Sequence, residues 1–179
     1  MNAPRETNAN AMSPTINAAF DGGIIRVVAI EGDRIDLEIV TDFQSDFFQW
    51  FYFRVAGAAG RTLTYRILNA GKSAYPFGWP GYKTRASTDR QAWRMIDTRY
   101  DNGVLEFDFT ADTDLAWFAY FAPYTMEMHD ALVARTALLP GVTHRELGSR
   151  STGRRSTASR SGPGRSRSGS TVASIPANR

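Results

Sequence analysis

Residues 93–110 read Trp-Arg-Met-Ile-Asp-Thr-Arg-Tyr-Asp-Asn-Gly-Val-Leu-Glu-Phe-Asp-Phe-Thr. Leu105, Phe107 and Phe109 alternate with Glu106 and Asp108, the period of a strand with one buried and one wet face. Asp101-Asn102-Gly103 separates this run from Trp93–Tyr100. An Asn-Gly pair accepts the positive φ angles of a tight hairpin turn, so the segment predicts two antiparallel strands. The same pattern recurs outward. Ile24–Ile30 is β-branched, and Ile35, Leu37 and Ile39 alternate with Asp36 and Glu38. Glu31-Gly32-Asp33 lies between them as a turn. Gln49–Val55 is nearly continuous aromatic sequence, as expected of a strand covered on both faces. Leu63, Tyr65 and Ile67 give another strand, and Leu115–Phe121 a further one. Asn69–Thr88, rich in Gly, Pro and Ser, is expected to be a long loop. After Pro123 the period lengthens, and Met126–Leu138 predicts a helix stopped by Pro140-Gly141. About seven strands followed by one helix predict an all-β fold, an antiparallel β-sandwich. Trp50, Phe51, Phe53, Phe107, Trp117 and Phe118 are its expected core.

The chain has 179 residues, and its composition divides it into three parts. Residues 1–19 are a polar leader, 20–147 hold every aromatic residue, and 148–179 are a Ser/Arg/Gly-rich tail expected to be disordered. Residues 1–148 carry a net charge of −4 and residues 149–179 one of +7. The basic balance therefore belongs to the tail and says little about the folded part. No apolar run nears the ~18 residues of a membrane helix, and the N-terminus lacks a secretory signal pattern. A cytoplasmic protein is the expectation.

Cysteine is absent, which excludes disulfides, thiolate metal sites and cysteine catalysis. The only histidines are His129 and His144. Glu127 and His129 are two residues apart in the expected helix and point to different sides, so they do not form a metal clamp. Asp36, Glu38, Glu106 and Asp108 read as solvent faces of strands rather than acid–base pairs. Ser45, Ser73 and Ser87 lack a nucleophile-elbow setting. The Gly-rich stretches 57–60 and 78–81 match no phosphate-binding loop. No catalytic or metal-ligating residue is therefore assigned. The aromatic residues of the long loop, Tyr75, Phe77, Trp79 and Tyr82, are candidates either for a stacking platform or for covering an adjacent domain.

The blocks Gln49-Trp50-Phe51-Tyr52-Phe53-Arg54-Val55, Asn69, Gly78-Trp79-Pro80-Gly81-Tyr82 and Trp117-Phe118-Ala119-Tyr120-Phe121-Ala122-Pro123-Tyr124 resemble the N-terminal domain of the cytosolic zinc carboxypeptidases. Phe20-Asp21-Gly22-Gly23-Ile24 and Tyr100-Asp101-Asn102-Gly103 fit as well, and the resemblance covers roughly residues 16–147. It implies a small β-sandwich preceding a larger zinc peptidase domain that hydrolyses C-terminal peptide bonds. The family's zinc motif, His-Pro-Gly-Glu, is missing, and no His-x-x-Glu occurs in the chain. The resemblance thus implies zinc in the parent family and no cofactor in this chain, with the catalytic peptidase domain as the natural partner. Tyr75, Phe77, Trp79, Tyr82, Pro123 and Tyr124 are the candidate interface to it. The codons permitted by Thr171–Asn178, read one nucleotide earlier, can spell Tyr-Gly-Arg-Gln-His-Pro-Gly-Glu. The tail is therefore expected to be frame-shifted peptidase-domain sequence, with the shift near Gly148. Two alternatives use other features: a free-standing sandwich that binds ligands through the aromatic loop, and, less favoured, a nucleic-acid-binding protein using the basic tail.

Overall fold

The computed structural model describes residues 13–42, 44–149 and 155–161. The chain forms two compact units, Met1–Pro123 and Tyr124–Arg179.

Among the described residues of the first unit, ten strands make two five-stranded sheets. They are β1 (Thr15–Asn17), β2 (Arg26–Glu31), β3 (Arg34–Glu38), β4 (Tyr52–Ala56), β5 (Thr62–Ile67), β6 (Lys83–Ser87), β7 (Arg94–Asp97), β8 (Arg99–Asp101), β9 (Val104–Thr110) and β10 (Leu115–Ala119). One sheet has the order β1-β4-β10-β6-β7, all antiparallel. The other has the order β2-β3-β5-β9-β8, antiparallel except for the parallel pair β3–β5. The expected β-sandwich is present, with this one parallel pairing.

Alternation places the core. Ile35, Leu37, Leu63, Tyr65, Ile67, Leu105 and Phe107 from one sheet meet Phe53, Val55, Ala86 and Phe118 from the other, all fully buried. Phe118 is the hub: its ring lies 4.6 Å from Tyr65, 5.4 Å from Phe53 and Phe107, and 5.1 Å from Phe109. Fully burying one such side chain stabilises by about 1.5–3 kcal/mol. Of the expected core, Trp50 and Trp117 are only half-buried: Trp117 takes an outward position of β10, and Trp50 lies in the segment before β4, where its indole donates to Gly22 O at 2.9 Å.

The β8–β9 hairpin turns at Asn102 and Gly103, whose φ angles of 48° and 81° match its sequence signal. The run 93–100 is not one strand. At Thr98 the chain leaves one sheet (β7) and enters the other (β8), and the Thr98 hydroxyl donates to the Tyr82 carbonyl. Two strands lie outside the expectation. β1 pairs with β4 within the supposed leader, and β6 lies within the supposed loop, with only the small Thr84 and Ala86 pointing inward. Asn69 prolongs the β3–β5 pairing. Its Oδ1 accepts from Ile39 N and its Nδ2 donates to Ile39 O, both at 2.9 Å, so one side chain acts as a strand residue.

On the outer face of the second sheet the charges are cross-paired. Arg66 sits 3.2 Å from Asp36 and 3.3 Å from Glu106, and Arg99 is 2.7 Å from Glu106 and 2.8 Å from Asp108. Arg26 pairs with Glu38. The carboxylates read as a solvent face thus form a ladder with arginine, and Asp36 is buried within it.

In the second unit, α1 (Met126–Ala137) starts at Thr125, whose hydroxyl accepts from Met128 N at 3.3 Å. That cap satisfies one of the free N–H groups at the helix start. β11 (Val142–Ser149) pairs antiparallel with β12 (Arg155–Ser161), with a register shift between Glu146 and Gly148. The tail expected to lack regular structure therefore contributes a strand at 155–161. The ribbon also crosses the expected domain limit at residue 147. The expectations for residues 1–12, 150–154 and 162–179 lie outside the described residues.

Candidate docking surface

The register of the first sheet collects the aromatic loop at one end of the sandwich. β10 ends where β4 and β6 begin, since Ala119 pairs with Tyr52 and with Arg85. The sequences flanking these strand ends are therefore neighbours: Phe47–Phe51 before β4, Ser73–Tyr82 before β6, and Tyr120–Pro123 after β10. Two short 3-10 turns, Ala70–Lys72 and Pro76–Gly78, shape the loop.

The floor of this end is built first. Trp79 is completely buried. Its indole Nε1 donates to Ala70 O and to Ser73 Oγ, each at 2.9 Å. Its ring meets Tyr82 at 5.1 Å and Tyr120 at 5.5 Å, both edge-on. Tyr82 stacks on Tyr120 at 5.1 Å, and its hydroxyl donates to Tyr120 O at 2.6 Å. Burial pushes the Tyr82 hydroxyl well above the ordinary phenol range, so it stays a neutral donor. Gln49 Oε1 accepts from Tyr75 N at 3.0 Å, fixing the loop to the segment before β4. The buried Gln49 Nε2 has no partner among the described residues.

On this floor stand exposed rings. Phe77 is 79% exposed, Tyr75 51% and Phe121 53%, with Phe47 beside them at 43%. Tyr75 touches Phe47 and Phe77 edge-on, each at 5.8 Å. Phe121 leans on Tyr120 at 4.4 Å. Of the six candidate interface residues, Tyr75 and Phe77 are thus surface groups and Tyr82 is half-buried beneath them. Trp79 and Pro123 are buried and belong to the floor. Tyr124 opens the second unit, exposed, with its ring 6.2 Å from His129. Phe47 and Phe121 belong to the surface and were missed. The signal for Phe121 was its place just past a strand end, where a ring has no opposite sheet to enter.

No group of three or more His, Asp or Glu side chains among the described residues is placed to hold a metal ion. The donor set of a zinc peptidase, three protein ligands around an open position, therefore does not fit the described part of this chain. A depression at the opposite end of the sandwich contains Arg61 and Asp114. Both are engaged, Arg61 with Asp33 at 2.6 Å and Asp114 with Gly57 N at 3.1 Å.

Residues 16–121 match the family model described as the cytosolic carboxypeptidase N-terminal domain. The chain belongs to that family. The metallo-carboxypeptidase from Burkholderia cenocepacia has a similar structure, with a TM-score of 0.79 and 37% identity over 83% of this chain and 39% of that one. A metallo-carboxypeptidase from Pseudomonas aeruginosa, solved with (2-guanidinoethylmercapto)succinic acid, gives a TM-score of 0.77 at 37% identity, covering 81% of this chain and 39% of that one. An uncharacterized protein of Zymomonas mobilis is 54% identical over 137 residues, 76% of this chain and 36% of that protein. The chain thus spans well under half the length of the relatives it matches. No helix among the described residues is long and apolar enough to cross a membrane.

Proposed function

We propose that this chain is the accessory β-sandwich of a zinc metallocarboxypeptidase, that its aromatic end docks on the catalytic peptidase domain, and that the chain alone is not a peptidase. The observation that carries the reading is the exposed group Phe47, Tyr75, Phe77 and Phe121 above the buried Trp79, at the end where the chain leaves the sandwich at Pro123. Phe47 and Phe77 both touch Tyr75, Phe121 rests on Tyr120, and exposed apolar groups of this kind mark contact sites. In α1, Met128 and Leu132 are likewise exposed. The domain supplies a preformed surface and no acid, base or metal ligand; peptide hydrolysis and zinc binding belong to the partner domain. In this reading the protein works in the cytoplasm, without membrane or nucleic-acid partners, and residues 148–179 are frame-shifted peptidase-domain sequence. The nucleotide sequence downstream of the Gly148 codon tests that last element. Metal analysis and a C-terminal peptidase assay on the purified chain test the rest: no stoichiometric zinc and no release of C-terminal residues is expected. Tight zinc binding lost when His129 and His144 are both replaced would overturn it.

A further inference from the structure

The two outer faces of the sandwich treat their arginines differently. On the β2-β3-β5-β9-β8 face, Arg26, Arg34, Arg66 and Arg99 each meet a carboxylate. On the β1-β4-β10-β6-β7 face the inward positions are Phe53, Val55, Phe118 and Ala86. Their alternates Arg54, Trp117 and Arg85 therefore point outward. Arg54 lies opposite Trp117 in the register, and Arg85 opposite Ala119. Among the described residues Arg54 has neither a hydrogen bond nor an ion pair, and Arg85 donates only to the Lys83 carbonyl of its own strand. The neighbouring acids are occupied elsewhere. Asp97 pairs with Lys83 at 2.5 Å, and Asp89 is held by Ser87 and by the backbone N–H groups of Gln91 and Ala92.

The same face carries the half-exposed tryptophans. Trp50 and Trp93 flank the buried Tyr52 ring at 6.4 and 5.9 Å, and Trp117 stands next to Arg54; the fourth tryptophan, Trp79, is in the core. Trp, Tyr and Arg dominate the binding energy of protein interfaces, and a guanidinium free of carboxylates is matched best by a bidentate carboxylate. Arg54 and Arg85 stand two strands apart and two residues offset, about 12 Å between Cα atoms at standard strand spacings. An extended chain covers that distance in about three or four residues.

We propose that the outer face of the β1-β4-β10-β6-β7 sheet docks an acidic protein segment, with two carboxylates three or four residues apart on Arg54 and Arg85 and an apolar side chain across Trp117. This face adjoins the aromatic end but is made of outward strand positions, and it does not depend on the docking reading given there.

Intrinsic tryptophan fluorescence tests it on the full chain. The arginines of residues 149–179 also attract acidic peptides, but that segment has no tryptophan, so the signal reports on the face. The probe is a tryptophan-free dodecapeptide with aspartate at every fourth position and leucine between. It is compared with its asparagine counterpart and with a twelve-nucleotide oligo-dT. The aspartate peptide should give a saturable change that weakens with salt, and the asparagine peptide none. Arg54→Glu with Arg85→Glu should weaken binding at least tenfold at an unchanged melting temperature. If that pair lowers the melting temperature, Arg54→Gln with Arg85→Gln supplies the same comparison. No saturable change in the wild type, undiminished binding by a folded variant, or an equal response at lower concentration of oligo-dT would each overturn the proposal.

Discussion

Replacing Trp79 and replacing Phe77, two residues apart, should have opposite consequences. Trp79 is completely buried, donates from one indole N–H to Ala70 O and Ser73 Oγ, and supports the Tyr82 and Tyr120 rings. Trp79→Ala removes the ring from a packed site and takes the indole donor from Ser73 Oγ and from Ala70 O, of which the latter keeps the Ser73 N–H at 3.1 Å. Large-to-small changes of this kind cost about 3–5 kcal/mol. For a domain of this size that lowers the melting temperature by roughly 10 °C or more. Phe77 is 79% exposed and touches only Tyr75 among the rings. Phe77→Ser should change stability by no more than about 0.5 kcal/mol and should reduce self-association of the isolated chain, which loses an exposed ring. Thermal melts with sedimentation velocity on both variants decide the matter. If Phe77→Ser unfolds the domain, or Trp79→Ala melts like the wild type, the division into buried floor and exposed surface is wrong.

Other outcomes follow from particular contacts. Gly71 N donates to Gly103 O at 2.7 Å, and a Cβ on Gly71 would stand 2.6 Å from the Gly103 Cα. Because both parties are backbone, Gly71→Ala should cost about 1–3 kcal/mol in a denaturant melt, and a neutral result would contradict the close approach. The Tyr65 hydroxyl is buried without a partner among the described residues, so Tyr65→Phe should leave stability unchanged or raise it; a clear loss would reveal a hidden acceptor. Asp108 has its carboxyl held below the usual carboxylate range, first by the Thr64 hydroxyl at 2.7 Å and also by Arg99. A depressed folded value means that its contribution is complete above the unfolded pKa of about 3.9 and is lost as pH falls through the folded value. Asp108→Asn should therefore lower stability at pH 7 by less than about 1 kcal/mol, given its exposure, and flatten the decline below pH 4. A decline of unchanged steepness would remove Asp108 from the acid response.

The sheets were legible in the sequence wherever large apolar side chains alternate, as in Ile35–Ile39, Leu63–Ile67 and Leu105–Phe109. They were not legible where a strand is inward-facing through small residues, as β6 is through Thr84 and Ala86, or where a strand is short, as β1 is with only Ile16 turned to the core. The sheet switch at Thr98 carries no Gly or Pro, because one residue and one side-chain bond to Tyr82 O suffice to turn the chain. The aromatic loop divides into buried and exposed rings for a related reason. Composition places Phe77 and Trp79 in one loop but cannot tell which ring finds hydrogen-bond acceptors inside. The indole N–H finds acceptors inside at Ala70 O and Ser73 Oγ, so Trp79 is buried, whereas Phe77 sits in the Pro76–Gly78 turn and is left exposed. Trp50 and Trp117 were assigned to the core because strand alternation around them is masked by aromatics on both faces.

The central claim, that the aromatic end is the seat of a separate catalytic domain, is tested most directly by binding. The remainder of the metallo-carboxypeptidase from Burkholderia cenocepacia, produced without the segment that matches this chain, is titrated with this chain by calorimetry. The account predicts a one-to-one complex that Phe77→Asp with Phe121→Asp weakens at least tenfold while the melting temperature of the chain stays within about 2 °C, the range of neutral surface changes. No complex with that remainder in folded form, or a complex indifferent to those two substitutions, would contradict it.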